Sequence, residues 1–192
     1  YVIVTGGIDL SVGSTVGLVG MISGLLITKG IPVPFMDATA YPNVFEVIGF
    51  GLLTGVFVGL INGLLITKFS VAPFIATLGT MYIARGAALL ISNGETFPNL
   101  VGKAELGNTG FDWLGFNRLF GVPISVLILA AIAIVAGLML SRSAFGRWLY
   151  ASGGNERAAE LSGVPVKGVK ISVYVMSSVL SAIAGLVLSS QL

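Results

Sequence analysis

Apolar residues along this chain run on rather than alternate with polar ones. Five continuous stretches stand out: Leu10–Thr28, Val47–Thr67, Val71–Ser92, Val122–Ser141 and Ile171–Leu192, broken mainly by glycine, serine and threonine. A membrane-spanning helix needs about 20 mostly apolar residues. A membrane β-strand shows the opposite signature, alternating over about ten residues. The pattern therefore predicts an all-α fold, a polytopic transmembrane helix bundle with five full spans in one domain covering residues 1–192. Tyr1–Gly7 reads as the tail of an earlier span. Both ends fall within apolar runs, so the expectation is a piece, truncated at both ends, of a longer membrane protein.

The connections differ from one another. Lys29–Glu46 contains Pro32, Pro34 and Pro42; a tight turn surrounds Lys68, Phe69 and Ser70; Asn93–Gly121 is rich in glycine, asparagine and acids; Arg142–Lys170 is basic. Alternate connections share a side of the membrane. The Lys68 turn and the last loop together hold Lys68, Arg142, Arg147, Arg157, Lys167 and Lys170, whereas the other two loops hold only Lys29, Lys103 and Arg118. Short cytoplasmic loops carry the excess of Lys and Arg. The expected orientation puts Lys68 and 141–170 in the cytoplasm and 29–46 and 93–121 outside.

Composition sharpens this picture. Only 9% of the 192 residues are charged, against about 25% in a soluble domain, and the mean hydropathy is +1.00. So few charges leave lipid as the main contact of the surface. The chain has no cysteine and no histidine, which excludes a disulfide framework, Cys/His metal sites and catalysis by either residue. A net charge of +2 gives no basic patch for nucleic acid. No Gly-x-x-x-x-Gly-Lys-Ser/Thr phosphate loop occurs, so uphill transport by this protein would draw its energy from another chain.

Three features carry candidate function. Gly51, Gly55, Gly59 and Gly63 recur every fourth residue, and Ser177, Ser181, Gly185 and Ser189 repeat the pattern on the last span. Small residues on one helix face allow close backbone approach in lipid, so Gly51, Gly55, Gly59, Gly63, Ser181 and Gly185 are expected at helix-packing contacts. The second feature is the break Gly6-Gly7-Ile8-Asp9-Leu10-Ser11. Asp9 is read either as a helix cap near the inner boundary or as a gating residue, since a carboxylate at membrane depth is costly and faces protein or a water cavity. The third is a short helix within the basic loop. Asn155 suits its N-cap, Glu156 its first turn and Gly163 its C-terminal turn, with Pro165 ending it and Gly153 and Gly154 as a flexible approach. Such a helix in a long loop is expected to dock something.

Arg85 lies inside the third span, where it either snorkels to the outer interface or takes part in a buried pair or a solute path. Asn62, Thr77 and Thr80 are polar groups within spans. They either line a path for a hydroxyl-rich solute or bond neighbouring helices and their own backbone.

The run Thr5-Gly6-Gly7-Ile8-Asp9-Leu10-Ser11-Val12-Gly13-Ser14 closely resembles a hallmark of ribose-type sugar permeases of bacterial ATP-binding-cassette (ABC) importers. So do Ala72-Pro73-Phe74-Ile75-Ala76-Thr77-Leu78-Gly79-Thr80 with Arg85-Gly86, and Phe145-Gly146-Arg147-Trp148-Leu149-Tyr150-Ala151-Ser152-Gly153-Gly154-Asn155-Glu156 continuing to Gly163 and Lys170. The resemblance covers nearly the whole chain in order and spacing. Branched-chain amino-acid permeases belong to the wider group and fit these motifs less well. The resemblance implies a bacterial inner-membrane permease of roughly ten spans, paired with a second permease copy or a related permease subunit. It also implies two cytoplasmic ABC ATPase subunits that bind the ATP, and a periplasmic sugar-binding protein that delivers a monosaccharide. No cofactor is expected on this chain. The segment matching Gly153–Gly163 corresponds to the family's coupling helix, which places Asn155, Glu156, Ala158, Ala159 and Gly163 at the ATPase contact. Asp9, Asn62, Thr77, Thr80 and Arg85 are the translocation or gating candidates. The competing classes are a channel or secondary transporter without an ATPase, and an intramembrane enzyme, for which no catalytic pair is visible.

Overall fold

Continuous apolar runs have no water to satisfy backbone polar groups in lipid, so each run closes its own hydrogen bonds as a helix. A computed structural model describes residues 1–33 and 38–192. In order they form a 3-10 turn (Ile3–Thr5), α1 (Val12–Thr28), β1 (Ile31–Val33), β2 (Ala38–Ala40), α2 (Val44–Thr67), α3 (Pro73–Ser92), a second 3-10 turn (Ala104–Leu106), α4 (Trp113–Phe116), β3 (Arg118–Leu119), β4 (Val122–Pro123), α5 (Ile124–Arg142), α6 (Ala144–Gly154), α7 (Glu156–Leu161) and α8 (Val166–Ser189). α2, α3, α5 and α8 are long and apolar enough to cross a membrane; α1 has 17 residues and is shorter. At 1.5 Å per residue α1 spans roughly 25 Å, near the lower limit for a crossing.

The core is α1, α2, α3 and α8. The glycines of α2 face α8 in descending register. A Cβ on Gly51 would meet Leu186, on Gly55 Ala182, on Gly59 Val175 and on Gly63 Ile171, the last three within 2.5–2.9 Å. That register makes α2 and α8 antiparallel, with backbones in direct contact. Gly185 and Ser189 of α8 face a different helix. Gly185 lies against the Val16 carbonyl and Ser189 near Gly20, in ascending register, so α8 and α1 run parallel. Ser181 is buried and donates its hydroxyl to the Ser177 carbonyl. α5 stands apart: Ile124 is its one buried residue.

Several elements differ from expectation. The last span begins at Val166, not Ile171, because Pro165 fixes the preceding backbone and the helix starts at once, taking Lys167 and Lys170 into its first turns. The first connection carries the antiparallel pair β1–β2, with Ile31 opposite Ala40; Pro34 and Asp37 fall outside the described residues. The long 93–121 connection is not a free loop. Phe97, Leu100 and Phe111 are buried with Val19, Leu26 and Ile27 of α1, and the Asn108 amide donates to the Ile27 carbonyl at 2.9 Å. Gly153 and Gly154 are not a flexible approach but the last turn of α6. Leu149, Gly146 and Ser152 form the buried side of that helix. A side chain at Gly153 would run into the Val4 carbonyl, so glycine is there for close approach.

Candidate functional site

The first site forms where the chain breaks between the 3-10 turn and α1. Gly6 adopts φ +72° and ends the turn, and α1 begins after Ser11 at its N-cap. Asp9 is not itself the N-cap. Its Oδ1 accepts from the Ser11 N–H at 3.0 Å and the Ser11 hydroxyl at 2.6 Å, while its Oδ2 accepts from the Ser177 hydroxyl of α8 at 2.7 Å. The Asn62 amide of α2 donates to the Ser11 hydroxyl oxygen at 2.9 Å. The Thr77 hydroxyl of α3 reaches the Ile8 carbonyl at 3.3 Å and bonds the Pro73 carbonyl at 2.8 Å. Asp9 thus joins the break to α8, Asn62 joins it to α2 and Thr77 to α3. Three hydrogen-bond donors converge on this one carboxylate, and no ion pair engages Asp9 among the described residues.

The depth of this cluster follows from helix geometry. Thr77 is four residues into α3 and Ser177 eleven into α8, so the cluster lies roughly 6 to 16 Å from those helix starts. It is inside the bundle rather than at its end. Gly7 packs directly on the Tyr174 hydroxyl. Asn62 Oδ1, the Tyr174 hydroxyl and Ser178 Oγ are buried without a protein partner among the described residues, so α2 and α8 retain buried hydrogen-bonding capacity near the break.

Two candidates stand outside the cluster. Thr80 is buried and bonds its own helix, donating to the Ala76 carbonyl at 3.0 Å. Arg85 lies on α3 two turns beyond Thr77, roughly 12 Å along the axis. Its side chain borders a groove of about 360 Å³ between α1 and α3, with Leu10, Gly13, Ser14, Gly17, Met81 and Ala88. Ser177 and Tyr174 belong to the cluster but sequence reasoning did not single them out for it. Ser177 appeared only as a small residue in a stripe, and nothing local marks a hydroxyl that meets a carboxylate 168 positions away.

The second site is the segment between α5 and α8. Asn155 caps α7, its Oδ1 accepting from the Ala158 N–H at 3.0 Å. Gly163 follows α7 with φ +85°, a conformation that L side chains rarely adopt. Asn155, Glu156, Ala158 and Gly163 are exposed; Ala159 is buried and faces the chain's own interior. α7 is tied down by the Lys170 ammonium of α8, which meets Glu156 at 2.6 Å. α6 packs on the other side. Leu149 is buried with Val169 and Val173 of α8, and Val2 and Val4, at and in the first 3-10 turn, pack against them.

Both sites fall within the stretch of chain that comparison with known proteins covers. The family described as "Branched-chain amino acid transport system / permease component" matches residues 1–192. The chain belongs to this family. Within it the chain is similar to the ribose import permease protein RbsC of Haemophilus influenzae, 36% identical over 192 residues covering 100% of this chain and 55% of the relative. RbsC of Bacillus subtilis is 38% identical over 193 residues, again 100% of this chain and 55% of the relative. The L-arabinose transport system permease protein AraH of Escherichia coli is 36% identical over 196 residues, 100% of this chain and 53% of the relative. The chain therefore spans about half the length of these relatives. No solved structure matches the chain significantly. Helices long and apolar enough for several crossings, in a permease family, make this a multi-pass membrane protein.

Proposed function

We propose that this chain is the membrane-spanning permease part of an ABC importer that moves a monosaccharide inward by alternating access, powered by a separate ATPase. The observation that carries the reading is the build of α7. A short, capped helix stands on the Lys68 side with Asn155, Glu156, Ala158 and Gly163 on its surface, and it is fixed to α8 through Glu156 and Lys170. An ATPase surface pressing on residues 141–170 would act on a rigid element.

The route inward is short. Lys170 and Ser177 lie seven residues apart on α8, roughly 10 Å along one helix. Ser177 holds Asp9. α6 meanwhile seats Gly153 against Val4, two residues before the Gly6 break. Displacing α6 and α7 therefore shifts both flanks of the segment that Asp9 ties down. Asp9, Asn62 and Thr77 act as the hydrogen-bonded latch of the break, and Arg85, with five N–H donors, faces solute hydroxyls in its groove. For such coupling each ligand must favour one state over the other.

In this reading the Lys68 turn and 141–170 are cytoplasmic and 29–46 and 93–121 periplasmic, in a bacterial inner membrane. The partners are a cytoplasmic ABC ATPase, a periplasmic sugar-binding protein, a second permease copy and the lipid bilayer. The names of the relatives favour a sugar over a branched-chain amino acid. Co-expression of the full-length protein with candidate ABC ATPases tests the reading. A stable membrane complex that Ala158→Glu dissolves, with the permease still inserted, supports it; failure of any ATPase to co-purify sinks it.

A further inference from the structure

On the side opposite Lys68, residues 110–117 form a pocket of about 380 Å³ lined by Gly110, Asp112, Trp113, Phe116 and Asn117. It belongs to neither site above. Its residues are held from three directions. Phe111 is fully buried in the core. Gly115 packs on the end of α8, where a Cβ would lie 2.6 Å from the Ser190 carbonyl oxygen. The Asn117 carbonyl accepts from the Ile124 N–H at 3.0 Å. Gly110, at φ +101°, lets the backbone turn along the pocket edge.

The chemistry of the lining is a matched set. Trp113 and Phe116 are exposed, Trp113 at 54% and Phe116 at 66%, and stand one turn apart on α4. Asp112 is half-buried, and its carboxylate neither caps α4 nor joins an ion pair among the described residues. The Asn117 Oδ1 accepts from the Arg118 N–H at 3.2 Å, and its side-chain N–H donors make no hydrogen bond among the described residues. Two aromatic rings, a carboxylate and an amide, the last two with unused hydrogen-bonding capacity among the described residues, therefore line one small concavity. A monosaccharide offers the complement: a C–H face for the negative face of an aromatic ring, and vicinal hydroxyls that donate to a carboxylate and accept from an amide. The volume is within the range of small-molecule sites, about 300–1,000 Å³.

We propose that Asp112, Trp113, Phe116 and Asn117 form an outer-face subsite for a monosaccharide ring, where solute rests on the permease before it enters the bundle. The proposal rests on the importer reading and adds to it a place outside the bundle where its solute is held. Binding is weak, with a Kd on the order of 1 mM, as expected of an open site.

The test uses the full-length protein in lipid nanodiscs, labelled with 5-fluorotryptophan, with the Trp113 resonance assigned by Trp113→Phe. D-ribose and L-arabinose are the probes, and open-chain ribitol is the control. The expected result is a saturable shift of the Trp113 resonance with a sugar and none of Trp148 in α6. Asp112→Asn and Asn117→Asp should each raise the apparent Kd roughly tenfold; the second keeps the acceptor that holds the Arg118 N–H, so the loop stays folded. A Trp113 resonance that is unmoved, that drifts without saturating, or that answers only to a change of lipid composition overturns the proposal. ATPase co-purification does not depend on this pocket, so loss of the subsite and loss of the importer reading give different results.

Discussion

A Cβ added at Gly59 would sit 2.5 Å from the Val175 Cα, a backbone atom that cannot step aside. One added at Gly49 meets nothing within 4 Å. Gly59→Leu should therefore push α2 off α8 and cost about 1–3 kcal/mol or more, while Gly49→Ala, inside the same helix, should not destabilise and should gain about 0.5–1 kcal/mol. Unfolding in mild detergent, followed by circular dichroism, checks the pair. At the break, Asp9→Ala strands the Ser11 and Ser177 hydroxyls, at a cost of about 1–3 kcal/mol; Ser177→Ala removes one hydrogen bond and costs less. Amide hydrogen exchange at the start of α1 should rise more in Asp9→Ala than in Ser177→Ala; equal exchange in both and in the wild type would remove Asp9 from its latch role. The glycine stripe was legible in the sequence because periodicity is a local property. The partner of Asp9 was not, because Ser177 looks like any other small residue until α1 and α8 lie side by side.

Among elements, α7 was the most readable, since Asn155 and Gly163 announce its two ends by chemistry that acts within a few residues. Asn155→Ala should lose the bond to the Ala158 N–H and about 1 kcal/mol of helix stability. Gly163→Ala places a side chain at φ +85° and should cost about 1 kcal/mol. Spin labels on α7 would report both as increased mobility, and unchanged spectra would contradict the capped-helix account. α6 was missed for a physical reason. Gly153 and Gly154 read as breakers, yet here glycine is what lets α6 press on the Val4 carbonyl. The start of α8 was placed too late because Lys167 and Lys170 look like loop residues; as helix residues they keep their charges at the end of the span, and Lys170 meets Glu156. The 93–121 connection hid its fold because Phe97, Leu100 and Phe111 are scattered single apolar residues whose shared surface, against α1, exists only in three dimensions.

For the whole molecule, hydropathy alone set the all-helical, multi-pass architecture, and the packing of α1, α2, α3 and α8 gives that architecture a core. The absence of cysteine from these 192 residues makes them suited to mapping orientation. Single cysteines at Lys68 and Asn117 should react oppositely with a membrane-impermeant maleimide in right-side-out vesicles, Asn117 labelled and Lys68 protected. The reverse pattern would invert the topology and remove α7 from the cytoplasm. The central claim is that solute movement is driven by an ATPase acting through α7. Uptake of labelled ribose and arabinose by proteoliposomes holding the full-length permease, its ATPase and its binding protein tests this most directly. The account predicts uptake of a sugar that requires ATP inside the assembly and stops in Ala158→Glu while the permease remains inserted. Uptake that runs on an ion gradient without the ATPase, or that Ala158→Glu leaves untouched, would contradict it.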